Sequence, residues 1–286
     1  MKEDIIKYAA SRGADITGFA SVDRWPQYNE IPPDFWPTSL WNMAKTVIVM
    51  GMQMPLPIVD TTPSILHRET YETSNRELDS LAYGLTRFLN QKGHASMFFT
   101  RDGYGSIKNL IEEPRAAFSH TFAAKYAGLG TVSRSHNLLT PEFGSRVRLV
   151  SVFTAAEIEA DQVMEKDLCI NCKLCAQCCP PGVLKDDISA EGYYYKLDAI
   201  GCARWHEELT RRRAYPCGIC TKVCPVGKDR DLYQEKEMSK KYRAELKALE
   251  NGIGDPEYKS WNHIRRYGSW AVKNGLIYNF GREGKD

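Results

Sequence analysis

All nine cysteines of this 286-residue chain lie between Cys169 and Cys224. The first run is Cys169-x2-Cys172-x2-Cys175-x3-Cys179-Pro180, with Cys178 inside its last gap. The second is Cys217-x2-Cys220-x3-Cys224-Pro225, with Cys202 ahead of it. So many thiols in so short a stretch must either oxidise or converge on a ligand. The longest apolar run, Thr46 to Met52, is far shorter than a membrane span needs, and the N-terminus lacks the charged and apolar regions of a secretory signal. The expected location is therefore cytoplasmic, where ordinary thiols stay reduced and clustered cysteines indicate metal or redox chemistry.

Structural zinc usually draws its ligands as two separated pairs. Four cysteines in one run, the last followed by proline, is instead the pattern that wraps a 4Fe-4S cluster. In two-cluster proteins of this kind the last cysteine of each run reaches across to the other cluster. The spacing predicts one cluster on Cys169, Cys172, Cys175 and Cys224. It predicts a second on Cys202, Cys217, Cys220 and Cys179. Cys178 falls outside the spacing and reads as a small packed residue. Tyr193, Tyr194, Tyr195, Trp205 and His206 read as packing around the clusters.

The rest of the chain is ordinary globular sequence, with 43% hydrophobic and 26% charged residues and a net charge of +2, too weak to indicate nucleic acid. Residues 1–12 predict a helix stopped by Gly13, and Ile16 to Val22 a short extended segment. Thr46 to Met52 reads as a buried strand, Ala95 to Thr100 as another, and Arg146 to Thr154 as a third that begins by alternating charged and apolar residues. Leu78, Leu81, Ala82, Leu85 and Leu89 mark one face of a helix that Gly93 closes. A further helix is predicted over Arg115 to Tyr126. Residues 23–40 and 53–64 read as loops. Helices alternating with strands give an α+β class, a sandwich core followed by a two-cluster module. The predicted division is 1–158, 159–230 and 231–286, the last helical to about Glu250 and then aromatic (Trp261, Tyr267, Trp270, Tyr278, Phe280).

Several stretches resemble the epoxyqueuosine reductases, which are related to the catalytic core of the reductive dehalogenases. They are Gly18-Phe19-Ala20, Lys45 to Gly51, Ala127-Gly128-Leu129-Gly130, Asn137 to Arg148, and both cysteine runs with Cys202 between them. The resemblance implies a nitroreductase-like α/β core that holds a cobalamin, fused to a ferredoxin-like module with two 4Fe-4S clusters. Electrons would pass from an external donor, such as a ferredoxin or flavodoxin, through the clusters to the corrinoid. Two departures stand out. Thr131 to Ser135 replaces the Trp-Ile-Gly-Lys-Asn-like turn of that family. The place of its acidic proton donor falls near Pro114, beside Glu112 and Glu113.

A reductive bond cleavage needs a proton source. The candidates are Glu113, Tyr104 and His120, with Asp102 and Tyr71 behind them. The resemblance places the corrinoid against the loop from Gly128 to Gly144. There Gly128 and Gly130 would allow close approach, and Ser135, His136, Asn137 and Gly144 would complete the lining. The expected function is an iron–sulfur reductase acting on a small molecule, with tRNA not expected because the tail is short and the charge weak. The alternative is an electron-transfer protein that serves a partner and has no substrate of its own.

Overall fold

The computed structural model describes residues 1–189, 193–211, 214–232 and 237–251. The aromatic tail expected after residue 251 lies outside them. The central sheet has four antiparallel strands: β1 (Ile16–Ser21), β2 (Thr46–Gln53), β3 (Ser96–Phe99) and β6 (Val147–Thr154), in the order β1-β2-β6-β3. Two small hairpins complete the strands. One is β4 (Thr131–Val132) with β5 (Leu138–Leu139), the other β7 (Leu184–Ile188) with β8 (Tyr195–Leu197).

Alternation on β2 explains its unbroken apolar run. Ile48 and Met50 face the N-terminal helix (Lys2–Ser11) and the long helix (Ile65–Gln91), packing with Ile5, Leu78, Leu81, Leu85 and Leu89. Val47 and Val49 face the other way, against Trp25, Phe118, Ala123, Ala124 and Tyr126. Both faces are covered, so both sets of side chains must be apolar. Each fully buried side chain of this size contributes about 1.5–3 kcal/mol.

The long helix starts well before its predicted apolar stripe. Ser64 caps it, its hydroxyl accepting from the His67 amide at 3.1 Å, and Gly93 at φ +84° takes the left-handed position past its end. Its C-terminal half is apolar. Toward its N-terminus the same buried face carries Asn75, Tyr71 and His67.

Other expectations are corrected. The segments read as loops contain short helical turns at Arg24–Tyr28, Pro37–Leu40 and Leu56–Val59, begun by residues that single-turn patterns do not flag. The helix expected from Arg115 starts only at His120, because Ser119 caps it there. An unforeseen helix occupies Ile107–Glu112, capped by Ser106. Strand β6 begins at Val147, since Arg146 turns inward to a buried ion pair.

Candidate functional site

A cavity of about 550 Å³ lies between the sheet and the cysteine region. It is lined by Tyr71, Asp102, Tyr104, His120, Arg148 and Tyr215, together with Cys175, Cys179, Cys202, Cys217 and Cys220. The turn between β4 and β5 supplies Ser135, His136 and Asn137. Its size is that of a site for a small ligand or cofactor.

The polar wall is a connected network. Arg148 donates to Asp102 at 3.0 Å and to the Asn75 side-chain oxygen at 3.0 Å. Tyr71 donates to the same Asp102 oxygen at 3.2 Å, and its ring lies 4.4 Å from the Arg148 guanidinium carbon. Arg101 bridges Asp102 and Asp79. The Tyr104 and Tyr215 hydroxyls meet at 2.8 Å. Burial first, then the neighbouring Tyr71 and Asp102, push the Tyr104 hydroxyl above the ordinary phenol range. Tyr215 is raised for similar reasons. One hydroxyl hydrogen joins the pair and the other is free to donate into the cavity.

The sequence candidates separate here. Tyr104, Tyr71 and Asp102 are brought together. His120 lines the cavity but both its nitrogens are engaged, Nε2 with the Thr100 carbonyl at 2.9 Å and Nδ1 with Ser151 at 2.8 Å. Burial lowers its pKa to about 4, so it is neutral and has no proton to give at pH 7. Glu113 is exposed beyond the Ile107–Glu112 helix and is not among the lining residues. Arg148 and Tyr215 were not singled out. The clue to Arg148 is its place, two residues from Arg146, in a strand otherwise uncharged.

The glycine expectation is corrected. A Cβ on Gly128 would sit 2.2 Å from the Gln162 carbonyl oxygen, on Gly130 1.9 Å from that of Leu139, and on Gly144 1.9 Å from that of Val226. These glycines permit close contact within the chain itself, and none of them lines the cavity. Of the same loop Ser135, His136, Asn137 and Leu138 reach it.

The cysteines are electrostatically coupled to one another. Cys202 and Cys220 each feel Cys179, while Cys217 feels Cys220 and Cys202. Cys175 feels Cys220 first, then Cys172 and Cys224, and the Tyr195 hydroxyl feels Cys175, Cys169 and Cys172. Burial and these neighbours push Cys175 and Cys217 up to about 12 and Cys202 to about 11. Among the described residues, no group of His, Cys, Asp and Glu closes tightly enough for a single metal ion. Cys178 is buried instead with Leu209, Ala214, Val223 and Tyr242. Asn171 and Lys173, both left-handed, coil the chain between the first thiols.

Three donors face these thiols. Asn137 Nδ2 lies 3.6 Å from Cys220 Sγ. Trp205 Nε1 and Ser145 Oγ are buried without a hydrogen-bond partner, close enough to Cys217 and Cys224 to offset part of the upward push of burial on those thiols. Buried cations fix the surrounding backbone. Arg146 grips Asp229 and donates to the Cys224 and Val226 carbonyls at 3.2 and 2.7 Å. Arg230 pairs with Asp60 and donates to the Cys224 and Lys222 carbonyls. Lys222 pairs with Glu245 at 2.7 Å.

The fold with its covered antiparallel sheet is similar to that of known reductases. A reductive dehalogenase whose structure suggests a mechanism for B12-dependent dehalogenation superposes with a TM-score of 0.60 at 20% identity, over 91% of this chain and 35% of its own. An epoxyqueuosine reductase solved with a tRNA stem loop gives 0.53 at 22%, over 96% and 78%. In sequence, the Bacillus subtilis epoxyqueuosine reductase is 24% identical over 98% of this chain and 77% of its own length. The tetrachloroethene reductive dehalogenase of Sulfurospirillum multivorans is 30% identical over 78% of this chain, which spans half of that relative. No family model matches the chain. The chain is a homologue of the epoxyqueuosine reductases and reductive dehalogenases.

Proposed function

We propose that this protein is an iron–sulfur reductase that passes electrons through two 4Fe-4S clusters to a corrinoid in the cavity, to cleave a carbon–heteroatom bond of a small molecule. The observation that carries this reading is the cavity itself, lined both by five of the cysteines and by the hydrogen-bonded tyrosine pair. A pure electron carrier has no use for such a cavity beside its clusters.

Cys169, Cys172, Cys175 and Cys224 would hold the outer cluster, and Cys202, Cys217, Cys220 and Cys179 the inner one. Buried N–H and O–H groups with no partner among the described residues suit the sulfur of such clusters. Ser135, His136, Asn137 and the Tyr71–Arg148 wall would hold the corrinoid. When bound, that group supplies a centre at which single electrons combine for a two-electron cleavage. Per turnover, a substrate R–X takes two electrons and one proton, giving R–H and X⁻. The electrons come from a low-potential one-electron donor such as a ferredoxin or flavodoxin. The proton comes from the Tyr104–Tyr215 pair. Its raised pKa keeps both phenols protonated at neutral pH, and a strongly basic carbanion is able to take a proton from so weak an acid.

Anaerobic reconstitution tests this. The expected result is about eight iron and eight sulfide per chain, the content of two cubes, with stoichiometric cobalamin uptake seen in the visible spectrum. Zinc without sulfide would end the cluster reading. Intact clusters with no corrinoid uptake would leave the electron carrier.

A further inference from the structure

We propose that Asn137 and Trp205 set the reduction potential of the inner cluster, each raising it by donating an N–H to a cysteine sulfur. This rests on the reading of Cys179, Cys202, Cys217 and Cys220 as cluster ligands.

Asn137 is built for such a role. Its backbone carbonyl accepts from the Ser133 amide at 2.8 Å, closing the turn between β4 and β5. Its side-chain nitrogen lies 3.1 Å from Ser135 Oγ and 3.3 Å from the Ser135 carbonyl, which aim the amide while leaving it 3.6 Å from Cys220 Sγ. The turn is fixed to the cysteine region independently. His136 Nε2 meets the Tyr195 carbonyl at 3.0 Å, and Arg134 donates to the Tyr193 carbonyl at 2.7 Å. Trp205 approaches from the Ala199–Arg211 helix that carries Cys202, and its buried Nε1 has no hydrogen-bond partner within the described residues. A donor left dry beside a thiol costs free energy unless sulfur accepts it.

The sign follows from charge. Reduction adds an electron to the cluster and its thiolates, and an N–H aimed at sulfur stabilises the more negative state. Hydrogen bonds to sulfur are among the recognised determinants of cluster potential. Removing a donor therefore lowers the potential of that cluster alone. A purely structural Asn137 would instead change the stability of the turn and leave the potential unmoved.

The test is an EPR-monitored redox titration of the reconstituted full chain as wild type, Asn137→Leu, Asn137→Asp and Trp205→Phe. Ser145→Ala, beside Cys224, identifies the outer-cluster signal. In Asn137→Leu and Trp205→Phe the reduced-to-oxidised ratio of the inner cluster at a fixed poise should fall about tenfold, ~59 mV for a one-electron couple. The outer signal should not move. Asn137→Asp keeps the shape and replaces the donor by a carboxylate, so it should fall further, and it decides the matter should Asn137→Leu lose its iron. Inner-cluster midpoints equal to wild type in Asn137→Asp and Trp205→Phe, with iron and sulfide intact, would overturn the inference. A wild type without iron and sulfide would overturn the cluster reading instead, so the two failures are read from different samples.

Discussion

His120 shows how burial converts a candidate acid into a fixed prop. The unfolded imidazole has a pKa near 6.5, whereas the folded one sits at about 4, with burial the leading cause. Between those values the unfolded chain binds more protons than the folded one, so stability present at pH 7 is lost as the pH falls through that window. His120→Gln should remove this share, making denaturation midpoints fall less steeply from pH 6.5 to 4.5 than in wild type. Acid effects on the rest of the chain are common to both proteins and cancel in the difference, and parallel profiles would refute the assignment. Residue types alone gave Tyr104, Tyr71 and Asp102 as proton-handling groups. Glu113 was chosen by its distance along the chain from Ala127-Gly128-Leu129-Gly130, and such counting does not register that the intervening helix and Ser119 cap carry it to the surface.

Strand β6 shows what an element's pattern can and cannot tell. Its alternating start was legible as a strand, but alternation alone assigns charged residues to solvent. Here Arg148 faces the cavity wall, and Arg146, just before the strand, is fully buried against Asp229. Their partners lie 46 and 83 residues away, so no local rule finds them. Removing one member of such a buried pair strands the other charge. Arg146→Met should therefore cost about 3–5 kcal/mol in chemical denaturation. The double variant Arg146→Met, Asp229→Leu should be less destabilised than the single one. A double variant as unstable as the single would show that the carbonyl contacts to Cys224 and Val226 dominate. The long helix was half legible for a related reason. Leu78 to Leu89 follow the core, but His67, Tyr71 and Asn75 continue the same face as polar groups because the cavity begins there.

For the whole molecule, the cysteine spacing was legible as a ligand pattern, because ligand geometry is written into short sequence intervals. The cavity was not legible, since its walls come from segments as distant as Tyr71 and Tyr215, whose rings meet at 5.8 Å. The surface gives little reason for tight RNA binding, with a net charge of +2. Binding to an unmodified tRNA stem loop at physiological salt should be weaker than about 1 µM, the range of non-specific contacts. Sub-micromolar binding with a steep salt slope would argue for an RNA substrate. The interlaced thiols also bear on how the protein is made. On the proposed ligand sets, the first run waits for Cys224 and the second set includes Cys179 from the first. During synthesis neither set has its four thiols until Cys220 and then Cys224 have left the ribosome. Metal insertion therefore falls late, as a check that the two halves of the cysteine region have already found each other.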